Sequence, residues 1–400
     1  MKNKLQYITI YLLKIITTSL IYSEYTNLIF IINMLLSTFI LFKYKITPTK
    51  KDFLILWIIS IIMLSLYLYT NGSYTLMSMI NTITTFYFTI IYYRFNRAGF
   101  IDKYINIMIF ICIVSLFGFI SDMTNTFSFF IDKLPQLINS NPGFGNPHGG
   151  FFYVFRNINH STRNSGFCYE PGKFQFFINL ALYFILFCKT NIKYINIKFL
   201  ILMITLITTM STTGIIMGVI IIICYIFNKK NNIEKRFIFI SVLIGLFIIM
   251  IFFYEQAYEV LIKKLQFNRD TKTFDYGSGK TRLNDIKLDL EIFKLNILGN
   301  GWKFYEEYWR IKQIGNYLYT TGSSSNSLTS MFAVYGIIFA GYINLKYILN
   351  FVFRSKNIII ILLLLFMYFY QNLSQSFSLT PLMIIFMISD NKQLFGNGEE

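Results

Sequence analysis

Two stretches of this 400-residue chain gather the side chains best suited to chemistry. The first holds Pro142 to Gly150 and then His160, Arg163, Glu170 and Pro171, directly before a long apolar run. The second holds Lys280 and Arg282, a helix-like stretch Leu283–Leu295, the string Leu298-Gly299-Asn300-Gly301-Trp302, Arg310, and a Ser/Asn-rich run Ser323–Ser327 that contains Asn326. A guanidinium is permanently charged and forks two hydrogen bonds onto phosphate or carboxylate oxygens. Arg163 and Arg282, one from each stretch, therefore suit the stabilisation of an anion that develops as a bond breaks. Glu170, beside a rigid proline, suits taking a proton from a hydroxyl. Competing with this is a fixed ion pair of Arg163 with Glu170 across one loop turn, and a solvated loop charge for Arg282. Lys280 and Arg310 are weaker versions of the same argument, with surface charge as the alternative. His160 reads either as a base or anion donor or as a loop imidazole bonded to backbone, and His148 as the cap of a turn. Carboxylates and imidazoles with metal-ligand spacing are not found, so neither metal nor cofactor is expected. The run Gly277 to Thr281 resembles the end of a phosphate-binding loop, but Phe274 stands where its first glycine is required.

These residues need a scaffold, and composition says what kind. Hydrophobic residues make up 55% of the chain, charged ones 14%, and the mean hydropathy is +0.53. That is more apolar surface than one water-soluble core of this length buries, so the expected solvent is a bilayer. Runs long enough to cross about 30 Å of hydrocarbon fall near Leu5–Tyr22, Asn27–Phe42, Phe53–Tyr69, Leu76–Tyr93, Ile105–Ile120, Phe174–Phe187, Phe199–Ser211, Gly214–Phe227, Phe237–Tyr254, Ser327–Leu349, Ile358–Leu373 and Leu379–Ile388. The expected fold is an all-α integral membrane protein with 11 or 12 transmembrane helices, one polytopic domain over residues 1–400. The first span is followed at once by another and lacks a small-residue cleavage site, so it is expected to stay in the mature protein.

Alternate connections differ sharply in charge. Lys43, Lys45, Lys50, Lys51, Arg94, Arg97, Lys103, Lys229, Lys230, Lys346 and Arg354 lie on one side, whereas connections such as Thr70–Ser73 and Ser211–Thr213 carry no Lys or Arg. The positive-inside rule puts both termini in the cytoplasm and the two elaborated connections, 121–173 and 255–325, outside. On this reading the net charge of +17 belongs to cytoplasmic loops and lipid headgroups, and no nucleic-acid partner is expected. Cys112, Cys188 and Cys224 fall in spans and Cys168 in a loop, with no disulfide or zinc spacing.

With this layout in place the chain resembles the O-antigen polymerases (Wzy) and the related O-antigen ligases of bacterial surface-polysaccharide assembly. The resemblance rests on an Arg-x-x-Gly-Phe-x-x-Glu-Pro string from Arg163 to Pro171, the Ser211–Gly214 turn between two spans, Arg282 followed by Gly299-x-Gly301, and the Ser323–Ser327 entry to the next span. It implies a GT-C-like polymerase or ligase architecture in the bacterial inner membrane. The implied reaction is inverting, metal-independent glycosyl transfer on the periplasmic face, with an undecaprenyl-diphosphate-linked oligosaccharide as donor and a Wzz-like chain-length regulator as partner. In that setting Arg163 and Arg282 would hold the departing diphosphate, and Glu170, with His160, would serve the acceptor hydroxyl. Lys280, Arg310, Asn326 and Trp302 would bind substrate, Trp302 by stacking on a sugar face or else by anchoring at the interface. Related ligases carry a histidine late in the second large loop, and its absence here shifts the reading toward a polymerase. A ligase acting on lipid A core is the nearest alternative. A lipid-linked oligosaccharide flippase is a more distant one, since Lys14 is nearly the only charge well inside a span.

Overall fold

The computed structural model describes residues 2–15, 19, 25–126, 128–136, 147–156, 162–168, 170–188, 193–228, 267–268, 273–274, 278–313, 324–374, 379–390 and 392–395. Its apolar helices are α1 (Lys2–Ile15), α2 (Thr26–Lys43), α3 (Lys50–Tyr69), α4 (Leu76–Asn96), α5 (Phe100–Thr124), α6 (Pro171–Phe187), α7 (Ile195–Thr208) and α8 (Thr212–Asn228). Two more polar helices follow, α9 (Ser278–Leu295) and α10 (Trp302–Gln313), and then α11 (Ser327–Arg354), α12 (Ile358–Ser374) and α13 (Pro381–Ile388). Two short antiparallel hairpins, His148–Gly149 with Val154–Phe155 and Phe267–Asn268 with Thr273–Phe274, lie in the long connections. By length and composition α2, α3, α5 and α11 can each cross a membrane, and the chain is an α-helical integral membrane protein.

Eleven of the twelve expected spans have a helix among the described residues; Phe237–Tyr254 lies outside them. α1 is described over Lys2–Ile15; the rest of the Leu5–Tyr22 span lies outside the described residues, apart from Ser19, which bridges to Cys168. One span differs from expectation. α13 has only eight residues, about 12 Å of helix, which is too short to cross by itself. Every one of its side chains is buried, so it fills the bundle as a half-length plug.

The helices start where local chemistry starts them. Thr49 and Asp52 form a capping box on α3, with Asp52 N donating to Thr49 Oγ1 at 3.3 Å and Thr49 N donating to Asp52 Oδ2 at 2.7 Å. Thr75 caps α4 by accepting from Ser78 N at 3.2 Å. α6 begins with Pro171 at its first position, which suits a ring that fixes φ and lacks an N–H. From Phe174 to Phe187 every side chain of α6 is buried, so this helix is the axis of the bundle. Leu68, Phe117 and Phe353 point outward instead, as befits a surface facing acyl chains.

One end of the bundle is basic. There Arg94 forks onto Asp52 through Nε and Nη2, both at 2.8 Å, and reaches Asp390 Oδ1 through Nη1 at 2.9 Å. Arg94 and Asp52 are 5% and 0% exposed, so α3, α4 and the segment after α13 are tied by a buried charge cluster. The opposite end carries the long connections and is called the loop face below.

α11 is broken at Gly336, where φ is 73° and ψ 178°. A strap formed by residues 296–301 runs across the break. Gly301 N donates to Val334 O at 3.0 Å, Asn300 Nδ2 to Ala333 O at 3.0 Å, and Ile337 N to Ile297 O at 2.9 Å. The backbone groups freed by the break are therefore satisfied inside protein, the condition for breaking a helix near hydrocarbon. A Cβ on Gly336 would sit 2.1 Å from the Leu298 carbonyl carbon, so the strap and glycine require each other. Residues 337–354 then form about 27 Å of helix, close to the bilayer thickness. The first turns of α11 stand with α9 and α10 on the loop face.

Candidate functional site

The Arg163–Pro171 string divides into a buried middle and two polar ends. Asn164, Ser165, Phe167 and Cys168 are all at most 1% exposed. Asn164 N donates to Thr208 O at 2.9 Å, its Nδ2 donates to Thr208 Oγ1 at 3.1 Å, and its Oδ1 accepts from Gly166 N at 3.0 Å. Gly166 has φ +55°, and a Cβ there would meet the Phe174 ring at 2.6 Å. The middle of the string is thus an anchor pressed between the end of α7 and the start of α6. Its ends, Arg163 and Glu170, remain half-buried at the loop face.

Both arginines seat on the same turn. Arg163 Nε donates to Thr209 O at 3.1 Å, just after α7. Arg282, in the first turns of α9, donates from Nη1 to Thr213 Oγ1 at 3.4 Å, in the first turn of α8. The Tyr370 hydroxyl of α12 also hydrogen-bonds Thr213. Glu170 lies within electrostatic reach of both guanidiniums. Among the described residues it forms no ion pair and no side-chain cap to α6. The fixed Arg163–Glu170 pair is therefore not what the structure contains. Burial pushes the Arg163 guanidinium down to about 10, with Glu170 opposing that shift. Burial likewise lowers Arg282, opposed by Tyr370, Glu170 and Asp285. Both stay charged at neutral pH. The positive end of α8 adds to them, so the arrangement can hold an anion beside the Glu170 carboxylate.

Two further carboxylates share the Arg282 face of α9, at spacings of three and seven residues. Asp285 Oδ2 accepts from Ser325 N at 3.0 Å and Ser325 Oγ at 2.8 Å. Asp289, fully buried, accepts from Tyr305 OH at 2.8 Å and Thr329 Oγ1 at 2.6 Å. Together they fasten α9 to the start of α11 and to α10. The sequence reading missed both, although the stripe Arg282, Asp285, Asp289, Ile292 on a helix carried the signal.

Burial pushes the Asp289 carboxyl up to about 6, against hydrogen bonds from Thr329, Tyr305 and Ser324 that pull it down. An unfolded aspartate titrates near 3.9. Between those values the folded state binds more protons, so stability is greatest below about pH 4 and falls as pH rises through about 6. The loss levels off at about 3 kcal/mol. Asp285 is raised too, mainly by burial, and acts in the same direction. Hydrogen exchange in residues 282–309, corrected for intrinsic rate, is expected to speed up from pH 4 to 7. Asp289→Asn should flatten that dependence; a wild-type slope in the variant would assign it to another group.

The other expected site residues are placed as follows. Asn326 caps α11, its Oδ1 accepting from Leu328 N at 2.9 Å and Thr329 N at 3.2 Å, while its buried Nδ2 lacks a partner among the described residues. Trp302 donates from Nε1 to Tyr335 OH at 3.1 Å and packs edge-on against Tyr305 and Tyr335, tying α10 to α11. Arg310 is exposed near the end of α10. His148, in the first strand of its hairpin, holds the Leu134 carbonyl at 3.2 Å from its Nδ1. His160 and the side chain of Lys280 lie outside the described residues. No group of three or more His, Cys, Asp or Glu side chains suited to a metal occurs among the described residues.

Residues 197–338 match the family model described as O-antigen ligase. The match spans α7, α8, α9, α10 and the broken part of α11, hence Thr209, Thr213, Arg282 and both aspartates, but not Arg163 or Glu170. No curated protein and no solved structure matches the chain.

Proposed function

We propose that this chain, related to the O-antigen ligases across residues 197–338, is a repeat-unit polymerase of a surface polysaccharide. It transfers the growing chain from polyprenyl diphosphate to the next lipid-linked repeat unit. The observation that carries this reading is the convergence of Arg163 and Arg282 on the Thr209–Thr213 turn from two separate connections, with Glu170 within electrostatic reach of both. In the reaction the acceptor hydroxyl oxygen attacks the anomeric carbon as the bond from that carbon to the diphosphate oxygen breaks. The electron pair leaves on the diphosphate, the configuration inverts, and Glu170 takes the hydroxyl proton. Arg163 and Arg282, both half-buried, hold the departing anion, and partial burial strengthens such contacts.

The loop face is periplasmic in this proposal, with both termini in the cytoplasm of a bacterium and the chain in its inner membrane. A reporter fused after Lys230 is expected to read cytoplasmic and one after Asp275 periplasmic; the opposite pattern would remove the donor from the site. Activity on lipid-linked repeat units is expected to survive excess EDTA, because permanent guanidinium charge does a divalent ion's electrostatic work here. Abolition by EDTA and recovery with magnesium would contradict this. A Wzz-like regulator of chain length fits the same proposal as a partner.

The likeness of residues 197–338 to the O-antigen ligases favours a second reading, transfer of the finished chain to lipid A core. Deleting the gene separates them. Surface polysaccharide stopped at one repeat supports the polymerase, loss of all repeats from the core supports the ligase, and an unchanged ladder rules out both.

A further inference from the structure

Away from the arginines, an apolar groove opens on the bilayer side of the bundle between α1 and α5. It encloses about 330 Å³ and is lined by Ile8, Tyr11, Ile107 and Phe110, with Asn106 on one wall and Phe152 at one end. Phe152 belongs to the turn of the His148–Phe155 hairpin. It packs on Phe110 at 5.2 Å and on Tyr11 at 5.4 Å between ring centroids, and the Tyr11 hydroxyl donates to Phe151 O. The groove is therefore closed toward the loop face and open toward the basic face.

Lysines stand at the open end, and helix geometry puts them there. On α1, Lys4 lies one turn before Ile8 and two before Tyr11; on α5, Lys103 stands in the same relation to Ile107 and Phe110. Each stripe thus runs from a cation at the basic face into the groove. A third lysine comes from α7, where Lys198 Nζ donates to Asn106 Oδ1 at 2.7 Å, on the groove wall itself. Lys2 adds its charge within electrostatic reach of Lys103, while Asp102 partly offsets both Lys103 and Lys198. Lys103 Nζ also donates to the Ala98 carbonyl at 3.4 Å.

We propose that this groove is a binding site for one anionic glycerophospholipid from the leaflet on the basic face. An acyl chain lies between the stripes, and the phosphate is held by Lys4, Lys103 and Lys198. A neighbouring transmembrane helix is about 10–12 Å across, too thick for a groove of this size. A lipid of the opposite leaflet is shut out by Phe152. Basic pockets between membrane helices on the more positive side recognise anionic headgroups for the same electrostatic reason.

The test uses the full chain in bilayers of equal parts phosphatidylcholine and phosphatidylglycerol, with retained lipid read by native mass spectrometry after gentle release. One phosphatidylglycerol is expected to remain in preference to phosphatidylcholine, each lysine-to-alanine change at Lys4, Lys103 or Lys198 lowering that preference about fivefold. Ile8→Trp fills the groove without touching a charge and is expected to abolish retention. Equal retention of the two lipids, or an undiminished preference in the triple alanine variant, would overturn the site. So would lipid retained by Ile8→Trp.

Discussion

Arg282→Ala and Arg163→Ala are each expected to lower polymer formation about a hundredfold at unchanged protein level. Losing one charge-assisted contact to a developing anion in a water-poor site costs about 3 kcal/mol, or about two orders of magnitude in rate. The geometry adds a sharper expectation. Each guanidinium spends one N–H on the turn, Arg163 on Thr209 O and Arg282 on Thr213 Oγ1, and in the proposed reaction turns its remaining donors to the diphosphate. Lysine cannot meet both demands from one ammonium, so Arg→Lys should fail nearly as badly as Arg→Ala. Glu170→Gln should cost as much if the carboxylate takes the hydroxyl proton, and much less if it only balances charge between the arginines. Radiolabelled chain extension in membranes, scaled to immunoblotted protein, checks all of these. Near-normal extension by Arg282→Ala would reduce that residue to a loop charge seated on Thr213.

Arg94→Ala is expected to destabilise the fold by about 3–5 kcal/mol without any direct effect on the site. Asp52 is fully buried, and removing Arg94 strips it of both arms of the fork while Asp390 keeps only Arg97 at 3.4 Å. The cost comes from leaving a buried carboxylate unpaired more than from the net worth of the pair. Replacing Arg94 and Asp52 together by leucine should therefore recover most of the loss. Arg310→Ala, an exposed change, should stay within about 0.5 kcal/mol of the parent. Thermal unfolding in detergent reads the series. If the double replacement proved as unstable as Arg94→Ala, an unpaired charge would not be the cause.

How far the sequence revealed this molecule depends on the range of the interactions involved. Spans and their alternating charge are local patterns, and they were legible; that Arg163 and Arg282 share the Thr209–Thr213 turn was not, since it depends on contacts distant in sequence. The break at Gly336 was hidden because Val334-Tyr335-Gly336-Ile337 reads as uninterrupted span. Its reason lies in residues 296–301, whose amides supply the missing partners. Arg94 counted correctly toward the basic side, but as a loop charge, because its partners Asp52 and Asp390 are distant in sequence. Asp285 and Asp289 were passed over among the mixed charges of α9, where only tertiary contact with Ser325, Thr329 and Tyr305 distinguishes them. The contacts of Trp302 with Tyr335 and Tyr305 were not legible either, because they join α10 to α11 across the fold.

The most direct test of glycosyl transfer between lipid-linked repeats is reconstitution of the purified protein with a single lipid-linked repeat unit and no other enzyme. The expected result is a ladder of lipid-linked oligomers, release of polyprenyl diphosphate in step with each added repeat, and loss of both on Arg282→Ala. Wild-type protein that is folded and monodisperse, yet leaves the repeat unit unextended and instead glycosylates added lipid A core, would contradict it.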